Sequence, residues 1–330
     1  MRAVSLDFEH RLVVENEVPP PPAPASGQAL LRIVETGLCA TDRELARFRF
    51  GEPPPGESTL ILGHEALAQV VEVNGGGLQP GEWVVPMIRR PCPSFCPSCA
   101  ARRRDLCRTG LYLERGINRS HGYFTEFAVD PIEDLVAIPA DLLDVAILIE
   151  PLSVVEKAID TAFRAQPLPP RTAIVAGAGP VGILTALALL VRGIGTTVIS
   201  LEPEDHPRVQ LLRKAGVNYL RGQNPQPADL VFEASGGDLE LLPWVASQGV
   251  LVLIGAAEHD LVVQPLRMLI DNLTIAGIVN AGPAHFEMAV RDLSAIPRPL
   301  LQAMIERRSF SDLRRSLRES SSTPKLVHRI

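Results

Sequence analysis

The 330-residue sequence has no excess of positive charge: 32 Lys and Arg stand against 38 Asp and Glu, a formal net charge of −6. Neither a nucleic acid nor an anionic membrane is an expected partner, because both call for a basic face. Three arginine clusters, Arg102-Arg103-Arg104, Arg307-Arg308 and Arg314-Arg315, read as solvated faces. No run of about 18 apolar residues occurs, so no membrane span is expected. The first ten residues lack the apolar stretch of a secretory signal, which makes a reducing, cytoplasmic setting the default expectation. Internal repeats are absent. Hydrophobic residues make up 46% and charged residues 21%, in keeping with a soluble globular protein.

Proline, by contrast, is abundant, with 30 residues, and it forms runs at Pro19–Pro24, Pro53–Pro55 and Pro167–Pro170. Such runs make stiff loops and mark boundaries between elements. Residues 1–155 read as short strands with turn signals, among them Ala29–Val34, Ala68–Val73 and Trp83–Pro86. A helix is predicted from Pro151 to Arg164, with apolar Leu152, Val155, Ala158, Ile159 and Ala162 at helical spacing. Beyond Pro170, strands at Thr172–Ala176, Thr196–Leu201, Leu230–Glu233 and Gly249–Ile254 alternate with helical stretches. That alternation predicts a doubly wound parallel sheet over about 156–290. The tail, 291–330, reads as helical with a closing strand near Pro324–Ile330, and it is expected to return to the first domain. The predicted fold class is α/β.

Gly177-Ala178-Gly179-Pro180-Val181-Gly182 fits G-x-G-x-x-G between a predicted strand and a predicted helix. In that setting the glycines give a tight turn, close approach to a pyrophosphate and close helix packing. The helix start offers free N–H groups to the phosphates. Glu202 lies 25 positions after Gly177, near the place where an acid bonds the adenosine ribose. Glu204 and Asp205 follow it, so a 2′-phosphate would meet acids. NAD is favoured, and NADP stays open.

The five cysteines divide into four and one. Cys92, Cys96, Cys99 and Cys107 form C-x3-C-x2-C-x7-C, within about 90–110, a spacing suited to a closed tetrahedral zinc site. Disulfides are the rival reading. Cys39 stands in Gly37-Leu38-Cys39-Ala40-Thr41-Asp42, His64 and Glu65 in Gly63-His64-Glu65-Ala66, and Glu150 before Pro151. A thiolate, an imidazole and a carboxylate with one open position describe a catalytic zinc. Taken singly, each is also an ordinary core residue.

In their order along the chain these motifs resemble the zinc-containing medium-chain dehydrogenase/reductase family. Glu114-Arg115-Gly116-Ile117, His121-Gly122-Tyr123, Glu150 through Ala158, and Gly277-Ile278-Val279-Asn280 look like its glucose 1-dehydrogenase branch. The resemblance implies a GroES-like β-rich catalytic domain joined to a Rossmann domain. It implies one catalytic zinc on Cys39 and His64 with Glu65 or Glu150, and one structural zinc in the cysteine lobe. Thr41, Glu65 and Glu150 would be catalytic, and Thr41, Glu114, Glu150 and Asn280 would contact substrate. Gly177, Gly179, Pro180, Val181, Gly182, Glu202, Gly255, Ala256, Val279 and Asn280 would contact the cofactor. The implied reaction is oxidation of an aldose, D-glucose to D-glucono-1,5-lactone, by a homo-oligomer, dimer or tetramer. Its rivals are a polyol, threonine or secondary-alcohol dehydrogenase and a non-catalytic dinucleotide-binding sensor. Four features depart from the branch. The first lobe cysteine is displaced by one residue, and the stretch after Gly255 is short. Gapless counting places Ile270 where some relatives have a sugar-contacting histidine. Acids replace the arginine pair that reads NADP.

Overall fold

The alternation of apolar runs and helices after Pro170 takes shape in a computed structural model that describes residues 1–222, 224–255 and 259–330. Among the described residues six parallel strands form one sheet. Their order is Asn218–Arg221, Gly195–Ser200, Thr172–Ala176, Ala228–Glu233, Val245–Leu253, Thr274–Gly277. Thr172–Ala176 is buried along nearly all its length, as expected of a strand covered on both faces. The order of connection reverses between Thr172–Ala176 and Ala228–Glu233, and at such a switch point the loops part into a crevice.

The first 140 residues and the tail share a second, mainly antiparallel sheet. Gln28–Leu38 is its centre and pairs with Glu65–Asn74, Phe127–Pro131 and Lys325–Arg329. The tail therefore closes the sheet that bears Cys39 at its end. It also carries a strand, Ile305–Ser309, parallel to Lys325–Arg329, where the sequence suggested only helix. This strand is half-exposed, so its sequence shows no clear period of two.

Helix Ile149–Ala165 begins two residues earlier than predicted, which puts Glu150 inside its first turn, a favourable end for an acid. The helix crosses the expected boundary at 155 and packs on both Pro180–Val191 and Pro283–Ala295. One hydrophobic core runs from Leu67, Val85 and Met87 through this helix into the parallel sheet. The arginine clusters are not all solvated. Arg104 is 3% exposed and pairs with Glu133 and Asp134. Arg307 is held by Glu35. Partners about 30 and 270 residues away neutralise these charges, and they could not be read from the clusters themselves. Among the described residues no helix is long and apolar enough to cross a membrane.

Candidate active site and metal centres

Cys39 caps the helix Ala40–Ala46. The cap is fixed by Asp42, whose Oδ2 accepts the Cys39 backbone N–H at 2.8 Å. His64 follows a turn that only glycine can make: Gly63 has φ +91°, and a Cβ there would stand 2.1 Å from the Phe124 ring. A Cβ on Gly116 would lie 2.3 Å from the Gly63 carbonyl, so the Glu114-Arg115-Gly116 segment is pressed against the same turn. The ligand atoms of Cys39, His64 and Glu65 all lie within 4.8 Å of one another. The Cys39 thiol donates to Thr41 Oγ1 at 3.7 Å. Glu150 lies outside that set of three but feels the charges of His64 and Glu65. Burial pushes its carboxyl up to about 7; the neighbouring Glu65 charge adds to the push and His64 opposes it.

Two groups behind this cluster escaped sequence reasoning. Asp42 is fully buried and faces His64 Nδ1 at 3.1 Å. An acid three residues after a cap is a legible signal, but Cys39 is not a usual cap residue. Lys325, from the tail strand, pairs with Glu65 Oε1 and donates to the Leu38 carbonyl at 3.3 Å. Glu65 Oε2 is buried with no partner among the described residues. An unpartnered carboxylate oxygen beside a thiol and an imidazole fits a cation of the zinc class.

The four lobe cysteines also converge, with sulfurs within 4.8 Å of one another and no disulfide. The Cys96 backbone N–H donates to Cys92 Sγ at 3.4 Å and holds that thiol well below its ordinary range. Among the described residues the apolar cluster of the lobe consists of Cys92, Cys96 and Cys99, with Cys107 packed against it. A loop with no other core, built around four thiols, suits a tetrahedral ion.

Glu114 is 8% exposed, which sets it inside the molecule rather than on a solvated face. Its Oε1 accepts from Arg89 Nε at 3.0 Å, Arg89 Nη2 at 2.8 Å and Asn280 Nδ2 at 2.5 Å. Oε2 takes no hydrogen bond among the described residues and could accept one from a ligand. Residues 114 and 280 thus meet although 166 positions separate them. Val279 is exposed on the same loop, and Ile270 is exposed on the helix Pro265–Asp271.

At the switch point Gly177 has φ +107°, and a Cβ on Gly182 would lie 2.0 Å from the Gly177 carbonyl. Gly179 caps the helix Pro180–Val191, and a Cβ there would meet nothing within 4 Å. The turn is tight below and open above, with Pro180 and Val181 in the first helical turn, as a pyrophosphate cradle requires. Glu202 follows the strand Gly195–Ser200. Burial disfavours its charge, but hydrogen bonds from Ser200 and the backbone, with Arg208 at 3.4 Å, hold it below the usual carboxylate range. Gly255 donates to the Glu233 carbonyl at 2.9 Å, beside the same crevice. Ala256 lies outside the described residues.

Comparisons with known proteins agree with this geometry. Residues 25–140 match the family described as alcohol dehydrogenase GroES-like domain, and residues 143–328 that described as glucose dehydrogenase C-terminus. Glucose 1-dehydrogenase 2 of Vulcanisaeta moutnovskia is 40% identical over 289 residues, 82% of this chain and 81% of that protein. Glucose 1-dehydrogenase of Methanocella arvoryzae is 35% identical over 315 residues, 87% of each. The glucose dehydrogenase of Haloferax mediterranei, solved in complex with NADP, Zn and gluconolactone, superposes with a TM-score of 0.93 at 29% identity. That match covers 100% of this chain and 99% of the other.

Proposed function

Since the chain belongs to the glucose dehydrogenase branch of the zinc-containing medium-chain dehydrogenases, we propose that it oxidises an aldose, D-glucose to D-glucono-1,5-lactone, with NAD as the preferred acceptor. Dependence on zinc and NAD(P), with a CH–OH group as the point of attack, comes with that membership. The observation that carries the reading is the meeting of Cys39, His64 and Glu65 within 4.8 Å beside the Glu114 segment.

Cys39, His64 and Glu65 would hold the catalytic zinc, with Glu150 next to them, and Cys92, Cys96, Cys99 and Cys107 the structural one. When bound, zinc supplies Lewis acidity that makes a nearby hydroxyl more acidic, and the nicotinamide supplies the hydride acceptor. The protein does the rest. Glu114 Oε2 and the Asn280 amide satisfy sugar hydroxyls, and analogues lacking those hydroxyls leave buried partners unpaired. Thr41 Oγ1, 3.7 Å from the Cys39 thiol, and the Glu150 carboxylate would take up the departing proton. Glu202, kept ionised, accepts the ribose hydroxyls of NAD and repels a 2′-phosphate. The Haloferax relative holds NADP, so weaker use of NADP is part of the reading. The free edge of Thr274–Gly277 and the exposed Leu266, Leu269 and Ile270 support a homo-oligomer.

The deciding experiment is a screen of NAD and NADP reduction over aldoses, polyols and secondary alcohols, repeated after chelation. D-glucose with NAD is expected to give the highest kcat/KM, and chelation to remove it. A polyol or simple alcohol outrunning every aldose overturns the substrate assignment. NADP outrunning NAD overturns the role given to Glu202.

A further inference from the structure

The helix that presents Glu150 also carries Lys157 two turns further along. Lys157 is 5% exposed. Its ammonium donates to the Val279 carbonyl at 2.9 Å and stands 2.9 Å from Asp105 Oδ2. Asp105 belongs to the cysteine lobe, two residues before Cys107, and is itself 3% exposed. The Asp105 backbone carbonyl accepts from Arg89 Nη1 at 3.3 Å, and Arg89 holds Glu114. Glu114 holds Asn280, whose neighbour Val279 returns to Lys157. The contacts close a ring.

Within that ring the loop residue Asn280 has φ +54°, a left-handed turn that asparagine accepts readily, so the loop's position depends on the contacts of the ring rather than on backbone strain. A buried ammonium needs several acceptors at once, and the Val279 carbonyl is one of only two given to Lys157 among the described residues. We propose that Lys157 is the positioning residue of the Val279–Asn280 loop, joining it to the cysteine lobe and so setting the face that Glu114 and Asn280 offer to the sugar. This rests on the assignment of those two residues to substrate binding. Lys157 itself touches no reacting atom.

Two readouts on the full-length protein test it. The first needs no substrate: amide exchange across 278–282, where Ile278 donates to the Leu253 carbonyl at 3.1 Å and Gly282 to His285 Nδ1 at 3.2 Å. Lys157→Met keeps the stem and removes the donors. It should speed exchange there about tenfold or more. The second readout is kinetic. Lys157→Met should raise the KM for D-glucose about 10- to 100-fold, with a several-fold smaller rise in the NAD KM, since the same loop is assigned to both ligands, and with kcat within about fivefold. Lys157→Arg should recover most of both effects. Asp105→Asn, which keeps the lysine and weakens its anchor, should show both in milder form and serves if Lys157→Met does not fold. Unchanged exchange and an unchanged glucose KM in a folded variant overturn the proposal, as does an equal rise in both KM values. If the wild-type protein oxidises no aldose, the substrate reading fails, while the exchange data still decide the role of Lys157.

Discussion

The two clusters that could hold a metal ion are built in opposite ways. The cysteine lobe draws its four thiols from sixteen consecutive residues, and its core contains little besides those cysteines. The other set takes a helix cap, a residue after a glycine turn and the first residue of a long strand, and each is backed from behind. Asp42 stands behind Cys39 and His64, and Lys325 behind Glu65. A site that only ties down a loop needs ligands and nothing more. A site that does chemistry must fix the ligands' orientation and protonation while leaving a position free, and that takes a wall of buried partners.

Removing one ligand from each set sharpens the difference, and the largest effect belongs to the walled site. Cys39→Ala should cut turnover by about 10³-fold or more. Bound zinc should fall from two to one per chain, while the melting temperature and NADH affinity stay near wild type. Turnover close to wild type in this variant would erase the distinction. In the lobe, Cys99→Ser should act on stability instead. Its melting temperature should drop by about 5–10 °C, with turnover at low temperature within about tenfold of wild type. A loss as deep as that of Cys39→Ala would make the lobe part of the chemistry.

The same contrast explains what the sequence made legible. The lobe spacing and the strand–glycine turn–helix at Thr172–Val191 are local patterns, so they could be read from neighbours in the chain. Glu150 was legible too, because Pro151 marks the start of a helix, although that helix begins two residues earlier. What stayed hidden depends on distant partners. The ring of contacts through Lys157 joins residues from 89 to 280, and no single window contains it. Lys325 reaches Glu65 across 260 positions through a strand at the end of the chain. Arg104 looks solvated in an arginine run and is buried because Asp134 meets it. Asp42 was the exception, a local signal passed over.

Asp42 therefore gives the finest test of the wall, with a smaller expected effect than the loss of a ligand from it. Its two oxygens do different jobs: Oδ2 takes the Cys39 N–H, and Oδ1 faces His64 Nδ1 at 3.1 Å, which leaves the other ring nitrogen free to bind a metal ion. A carboxylate can only accept, so it requires the proton on Nδ1 and thereby frees Nε2 as a ligand. Asp42→Asn keeps the shape and breaks this logic in either orientation. With its amide nitrogen toward His64, it calls for the wrong tautomer. With its oxygen there, its N–H₂ confronts the Cys39 N–H. The variant should lose about 10- to 100-fold in zinc affinity and in turnover, less than Cys39→Ala, with NADH binding and the lobe metal untouched. Zinc titration beside steady-state kinetics measures both quantities. Wild-type values for the two would mean that the cluster orients its histidine without Asp42, and that the wall is packing rather than chemistry.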